Sequence, residues 1–212
     1  MKHPFVLLLS LVAGFTLSCN RAQATPEDFW KWFQSNEDML FNFEKNREQT
    51  FDKLGAEMHK LNPSLTFEFG PIENGKREFV ISADGIKEVF PQVEALYAAA
   101  PSLPRWKFVR FRPRRKPMDV DYEGVSVQAA SVSVQLVRNG QVADVTVFIP
   151  NYSQANRKAF VAIAFLMLDG ALGEYDVEMR VGQIEVQAAP MAHAQTTSLQ
   201  DLPKSFDGLF AK

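Results

Sequence analysis

A change of hydrophobic period after Pro63 limits most strongly what this chain can fold into. Before it, apolar residues recur at three- and four-residue steps through residues 40–61, which predicts an amphipathic helix. After it, residues 65–69 alternate with a period of two, and residues 78–82 are predicted to return as a strand beyond an Asn-Gly turn. This order of a helix followed by hairpin-type strands favours an α+β fold.

Later segments repeat the same mixture. Asn139-Gly140 separates two strand-like runs, which is the strongest short-range signal for a β-hairpin. An apolar helix is predicted over residues 155–172, and the alternation of residues 175–187 predicts a final strand. Hairpin-type links outnumber strand–helix–strand units. We therefore predict an α+β fold with one mainly antiparallel sheet and helices packed on one of its faces.

The first 24 residues have the features of a signal peptide. Lys2 precedes an apolar run over residues 5–17, and Ala22-Gln23-Ala24 matches a cleavage site. We predict a signal peptide at 1–24, an α+β domain at 25–187, and a connector with a C-terminal helix packed on the same domain at 188–212. The expected location is periplasmic or secreted.

Cys19 leaves a second possibility for the N-terminus. Together with the three preceding residues it is similar to a bacterial lipoprotein box, although Thr16 stands where a large aliphatic residue is expected. The alternative location is therefore a lipid anchor through Cys19, the only membrane contact expected. Cleavage after Ala24 leaves no cysteine, which excludes disulfides and thiolate metal sites.

The strongest candidate for a binding site is the basic segment, Arg105–Lys116. Seven of its residues are cationic and none is acidic, whereas the whole chain has 23 Lys and Arg against 25 Asp and Glu. Arginine beside aromatic rings commonly holds a flat anion. We predict that an anionic ligand or an envelope component binds here, through Arg105, Trp106, Arg110, Arg112, Arg114 and Arg115.

Two other interpretations of the basic segment remain open. Its arginines can pair with acids on neighbouring strands, for which Glu68, Asp176 and Glu178 are available. Arginines interleaved with aromatics are also typical of surfaces that bind single-stranded nucleic acid. Export and the acidic remainder of the chain argue against nucleic acid as the partner.

An acidic segment follows the long apolar helix. Asp169, Glu174 and Asp176 form an alternative site, in which carboxylates act as general acid and base. The structural alternative assigns Gly173 to the helix C-terminus and pairs the acids with the basic segment. The spacing does not match an EF-hand.

Other chemistries have little support in the sequence. The histidines outside the leader, His59 and His193, are too few for a zinc site without cysteine, and no cofactor motif is present. No metal or cofactor is therefore predicted. Trp30, Trp32 and Phe33 crowd one short helix, either as core residues or as the rim of a groove.

Five stretches together resemble a family of bacterial proteins of unknown function. They are FWKWF, LTFEFGP, REFVISADGIK, RWKFVRFRPRR and LDGALGEYDVE, at residues 29–33, 65–71, 77–87, 105–115 and 168–178. The resemblance implies a single domain and no particular chemistry. Members of that family mostly look cytoplasmic, so the leader is a departure from it.

The combined prediction is an exported, non-enzymatic binding or interaction domain of the bacterial cell envelope. The alternative is a hydrolase of an envelope polymer that uses the acids of residues 169–178. A third possibility is an inhibitor or chaperone that binds its partner through an open sheet face or the aromatic first helix.

Overall fold

The computed structural model describes residues 24–190 and 194–211. The first helix begins at the capping signal in the sequence. The Thr25 side chain accepts a hydrogen bond from the Asp28 backbone N–H, and the Asp28 carboxylate accepts from the Thr25 backbone N–H. Pro26 occupies the first turn, where its missing N–H costs nothing.

The described chain contains seven α-helices and nine strands. The helices are α1 (Pro26–Ser35), α2 (Glu37–Phe41), α3 (Arg47–His59), α4 (Phe90–Ala98), α5 (Arg157–Leu172), α6 (Glu174–Arg180) and α7 (Leu202–Phe210). The strands are β1 (Thr66–Glu73), β2 (Lys76–Ser82), β3 (Trp106–Arg110), β4 (Val120–Tyr122), β5 (Val125–Val127), β6 (Ser133–Asn139), β7 (Val142–Phe148), β8 (Val181–Gln187) and β9 (Thr197–Ser198). Short 3₁₀ turns at 43–46, 87–89, 129–131 and 154–156 complete the regular structure.

The two halves of the molecule share one connectivity. In the first half, β1 and β2 form an antiparallel hairpin, and α4 then leads to β3, which lies parallel to β2. In the second half, β6 and β7 form the hairpin at Asn139-Gly140, and α5 and α6 lead to β8, parallel to β7. A hairpin, a helical crossover and a parallel strand therefore occur twice, without a recognisable sequence repeat.

This connectivity corrects one prediction and confirms another. The α+β class is confirmed, but the single mainly antiparallel sheet is wrong. The described residues form three sheets with the strand orders β1-β2-β3, β4-β5 and β8-β7-β6-β9. Each hairpin acquires a parallel partner through its own crossover, and so each half closes a mixed sheet of its own.

Two separate apolar clusters accompany the two larger sheets. The first is aromatic, with Phe33 and Phe79 fully buried at its centre. Its Trp30 is also buried and donates a hydrogen bond from Nε1 to the Leu96 carbonyl at 2.7 Å. The second is mainly aliphatic and includes Ile163 of α5 and Phe206 of α7. Trp30 and Phe33 are therefore core residues, and Trp32 is half-buried against the same cluster.

The prediction of one strand over 175–187 is wrong in its first half. Residues Glu174–Arg180 form α6, and the strand begins only at Val181. Gly173 makes the sharp junction between α5 and α6 with φ +80°, where a Cβ would lie 3.0 Å from the Arg112 carbonyl oxygen. Alternation alone did not reveal this junction, since it depends on contact with a distant segment.

The described helices include none that is both long and apolar enough to cross a membrane.

Candidate functional site

The basic segment connects the two halves of the molecule. It begins as β3 and leaves the first sheet at Phe111, whose φ of 60° is unusual for a bulky residue. The Phe111 N–H donates to the Ile81 carbonyl of the first half at 2.7 Å. Four residues later, the Arg115 N–H donates to the Gly170 carbonyl of the second half, also at 2.7 Å. The segment therefore lies across the seam between the halves.

At the start of the basic segment, the predicted site residues Arg105 and Trp106 already have partners within the protein. Arg105 pairs with Asp38 at 2.6 Å and lies over the Phe41 ring, 3.9 Å from its centre. Trp106 is buried and its Nε1 donates to Glu37 at 3.3 Å. Trp106 is therefore mainly a core residue, although its edge lines the surface groove described below.

Arg110 is the most exposed of the predicted arginines that pair with a single acid. Its guanidinium hydrogen-bonds to Glu94 and lies 5.5 Å from the centre of the Tyr97 ring. Both members of this pair are well exposed to solvent. A surface pair of this kind contributes at most about 1 kcal/mol to stability.

Arg112 is the centre of the densest network. Its Nε donates to Asp169 at 2.7 Å, and its Nη1 donates to Asp84 at 2.9 Å and to Ser82 at 3.2 Å. Burial lowers the pKa of Arg112, but the hydrogen bond and charge of Asp169 more than compensate and raise it above its ordinary value. The Nε and Nη1 groups are therefore both engaged inside the protein.

Arg114 binds three acceptors of the second half. It forms a two-pronged pair with Asp207 of α7, with both N–O distances 2.8 Å, and a further bond of 2.7 Å to Asp176 of α6. Its Nε also donates to the Leu172 carbonyl at 3.1 Å. The hydrogen bond to Asp207 is the main reason why the pKa of Arg114 is raised.

Arg115 differs from the other arginines of the basic segment because the one acid it pairs with is shared with a second cation. Both Arg115 and Lys107 donate to Glu78, which is buried within β2. Burial raises the pKa of Glu78, but these two cations outweigh burial and bring it below its ordinary value. Two cations thus face one carboxylate.

A groove of about 550 Å³ opens beside this shared carboxylate, and we call it the Glu78 groove. Lys76, Lys107 and Arg115 line it, together with Glu73 and Glu78. The prediction of an unneutralised arginine cluster thus loses its geometric support at Arg105, Arg110, Arg112 and Arg114. Within the basic segment, a small excess of positive charge remains at this groove and at the exposed Lys116.

Glu174, predicted as part of an acidic site, is fully buried. Its Oε1 accepts hydrogen bonds from the backbone N–H groups of Ala83 at 2.9 Å and Gly85 at 3.1 Å. Its Oε2 accepts from the Arg112 N–H at 3.0 Å. The carboxylate therefore holds the start of α6 against two backbone N–H groups of the first half and one of the basic segment.

The other two acids of that site are also committed to cations. Asp169 pairs with Arg112, and Asp176 bridges Arg114 at 2.7 Å and Arg180 at 3.2 Å. None of the three predicted acids is left as a free general acid or base facing substrate. The geometry therefore gives no support to the hydrolase alternative.

Several acids that complete these networks were missed in the sequence. Asp84 lies 28 positions from Arg112, and Asp207 lies 93 positions from Arg114. No local pattern links residues so far apart. A surplus of acids outside the basic segment was the only available signal.

Metal binding also finds no support. The described residues contain no group of three or more His, Cys, Asp or Glu side chains that could hold a metal ion. His59 is the last residue of α3, whereas His193 and Cys19 lie outside the described residues.

Comparison with known proteins adds no identification. No protein-family model matches the chain, and no match was found among curated proteins or solved structures. The class defined by the observations above is an α+β domain whose basic segment is neutralised mostly from within. The resemblance to a bacterial family stays a prediction.

Proposed function

We propose that this protein is an exported, non-enzymatic binding domain of the bacterial cell envelope, with the Glu78 groove as its anion site. The observation that carries the proposal is the sharing of Glu78 between two cations. Lys107 and Arg115 keep 62% and 41% of their side chains exposed, and Lys76 lines the same groove. An incoming anion needs to displace no other partner from them.

The chemistry of these groups favours a divalent oxyanion. Arg115 offers several N–H donors in one plane, which match the oxygens of a phosphate or carboxylate. Lys107 and Lys76 add point charges. Three cations against the two acids Glu73 and Glu78 leave the groove with a net positive charge, and a ligand with two negative charges gains more Coulomb energy from it than a monovalent one.

Inorganic phosphate is expected to raise the melting temperature of the wild type, and the double variant K107A/R115A should lose this rise. Binding at a hundredfold excess over Kd stabilises a fold by about 2.7 kcal/mol. Each kcal/mol corresponds to about 3 °C for a chain of this size. Thermal unfolding followed by circular dichroism, with and without phosphate, measures the effect.

Arg110→Ala is the matched control for that experiment. It removes an exposed arginine of the same segment that has its own acid, Glu94, and should leave the phosphate effect unchanged. A wild-type melting temperature that responds neither to phosphate nor to a polyanion such as heparin would remove the proposal.

Export makes a separate prediction about the N-terminus. Cleavage after Ala24 gives a mature chain that begins at Thr25, the cap of α1. Intact mass spectrometry of the protein purified from a bacterial envelope fraction should give the mass of residues 25–212. An added acyl mass on a chain beginning at Cys19 would support the lipid anchor, and an unprocessed chain would contradict export.

A further inference from the structure

The outward face of α5 carries an unusual apolar surface. Phe165 and Leu166 are 44% and 52% exposed, although their neighbours Ile163 and Leu168 are fully buried. Met118, on the loop beside them, is 72% exposed. Large apolar side chains that lie exposed side by side, and not scattered singly, mark a surface that a partner covers.

Three surface depressions along this face join into one, which we call the α5 groove. The first, of about 210 Å³, contains Met118 and shares Leu166 and Asp169 with a second of about 330 Å³. The second shares Phe165 and Glu178 with a third of about 210 Å³ beside β8. The shared residues make the groove continuous across the width of α5.

Four acids and three cations line the α5 groove. Glu68, Asp84, Asp169 and Glu178 line it around the single central guanidinium of Arg112. Arg115 and Lys116 lie only at the Met118 end, and Arg115 is already bound to Glu78. Along the centre of the α5 groove, four carboxylates therefore face one cation.

Two of these acids have little internal compensation. Glu178 has no cation within 4 Å among the described residues, and Glu68 approaches Arg112 only to 3.9 Å. Burial raises the pKa of Glu68, and it raises the pKa of Glu178 for the same reason. In both cases the nearby cations lower the pKa by less than burial raises it.

We propose that the α5 groove binds a cationic peptide segment of another protein, one that also carries large apolar side chains. Apolar residues of the segment would cover Phe165, Leu166 and Met118, and its lysines or arginines would pair with Glu68 and Glu178. Burial of apolar area supplies affinity, and charge complementarity selects the partner. A metal ion is the wrong occupant, because the described residues hold no suitable ligand group.

Fluorescence anisotropy with labelled synthetic peptides tests this proposal on the protein as purified. Two Leu/Lys peptides are used, one spaced as an amphipathic helix and one with strict alternation as a strand. Two comparison peptides keep the spacing but replace either lysine by glutamate or leucine by serine. At least one Leu/Lys peptide should bind, and both comparison peptides should bind at least about tenfold more weakly.

Two double variants test which residues are used. F165S/L166S removes the exposed apolar pair, and E68Q/E178Q removes charge while keeping shape, and each should weaken binding at least about tenfold. Ile72→Ser, at an exposed apolar residue of β1, and Asp52→Asn, at an exposed acid of α3, are the matched controls. Circular dichroism establishes that every variant is folded.

Four results would overturn the proposal. The first is that neither Leu/Lys peptide binds, and the second is that both double variants bind them as well as the wild type. The third is equal binding of the serine peptide, since apolar docking would then be unnecessary. The fourth is occupation by a second copy of this protein, seen as a dimer that F165S/L166S dissociates in analytical ultracentrifugation.

Discussion

Replacing Glu174 by alanine is expected to lower the free energy of unfolding by about 3–5 kcal/mol, the largest effect of any polar substitution considered for this protein. The carboxylate is fully buried and accepts hydrogen bonds from the backbone of Ala83, Gly85 and Arg112. Alanine leaves these donors without partners and out of reach of bulk water. Each such donor costs about 1–3 kcal/mol.

Urea unfolding followed by circular dichroism measures this loss, and two further variants show its origin. Glu174→Gln keeps the shape and one acceptor oxygen, but its amide N–H₂ confronts a backbone donor, so about half the loss is expected. Asp52→Ala, on the exposed face of α3, should stay within about 0.5 kcal/mol of the wild type. An alanine variant as stable as the wild type would show that Glu174 does not fasten the seam.

Replacing Arg112 by methionine is expected to lower the free energy of unfolding by about 2–4 kcal/mol near neutral pH, which is the second large effect. Methionine retains much of the apolar stem but no charge. Asp169 then loses its partner at 2.7 Å while Glu174 and Asp84 remain close to it. A half-buried carboxylate without its cation is the main source of the cost, more than the lost hydrogen bonds themselves.

The loss at Arg112 should depend on pH in a defined direction. Burial raises the pKa of Asp169, and Arg112 is the group that opposes this rise. Without Arg112 the pKa of Asp169 rises further, as does that of Glu68. A carboxyl group with a higher pKa in the folded than in the unfolded chain destabilises the fold when ionised, and that cost disappears as the pH falls through the folded pKa.

The difference in stability between wild type and Arg112→Met should therefore shrink between about pH 7 and about pH 5. Acids whose pKa lies below the ordinary value, such as Glu78 and Asp207, stabilise both proteins less as the pH falls. Their contributions therefore largely cancel in the difference between the two proteins. Arg110→Met is the control, since its exposed pair with Glu94 should cost under about 1 kcal/mol. A pH-independent difference would contradict this account.

Local signals in the sequence were sufficient for many of the elements. The capping box at Thr25 and Asp28 begins α1, and Asn139-Gly140 forms the turn between β6 and β7. These patterns act over a few residues and need no knowledge of the rest of the chain. The α+β class follows from them.

The same local signals could not predict contacts between residues that are far apart in the sequence. Alternation predicted strands but not that each hairpin would gain a parallel partner and close its own sheet. Residues 175–180 alternate as a strand does, yet the buried carboxylate of Glu174 and the turn at Gly173 place them in α6. Tertiary contacts here override the local preference.

The candidate site shows the same division. The basic segment was prominent in composition, and cross-strand pairing with Asp176 was one of the alternatives considered. The other acids that neutralise it, Asp38, Asp84 and Asp207, are contributed by three separate elements. Only the tertiary structure shows that acids of the same chain neutralise most of this positive charge. It also shows that acids slightly outnumber cations in the α5 groove.

The two apolar clusters have no residue in common, and the basic segment lies where they meet. Water entering that boundary would solvate guanidinium and carboxylate groups and would leave both apolar clusters intact. Opening there is therefore resisted by ion pairs and hydrogen bonds, together with the ring contacts of Tyr175 with Phe90 and Phe111, whereas melting of either cluster is resisted by hydrophobic burial. Ionic strength weakens the ion pairs far more than the hydrophobic burial, so salt should loosen the seam before it unfolds either half.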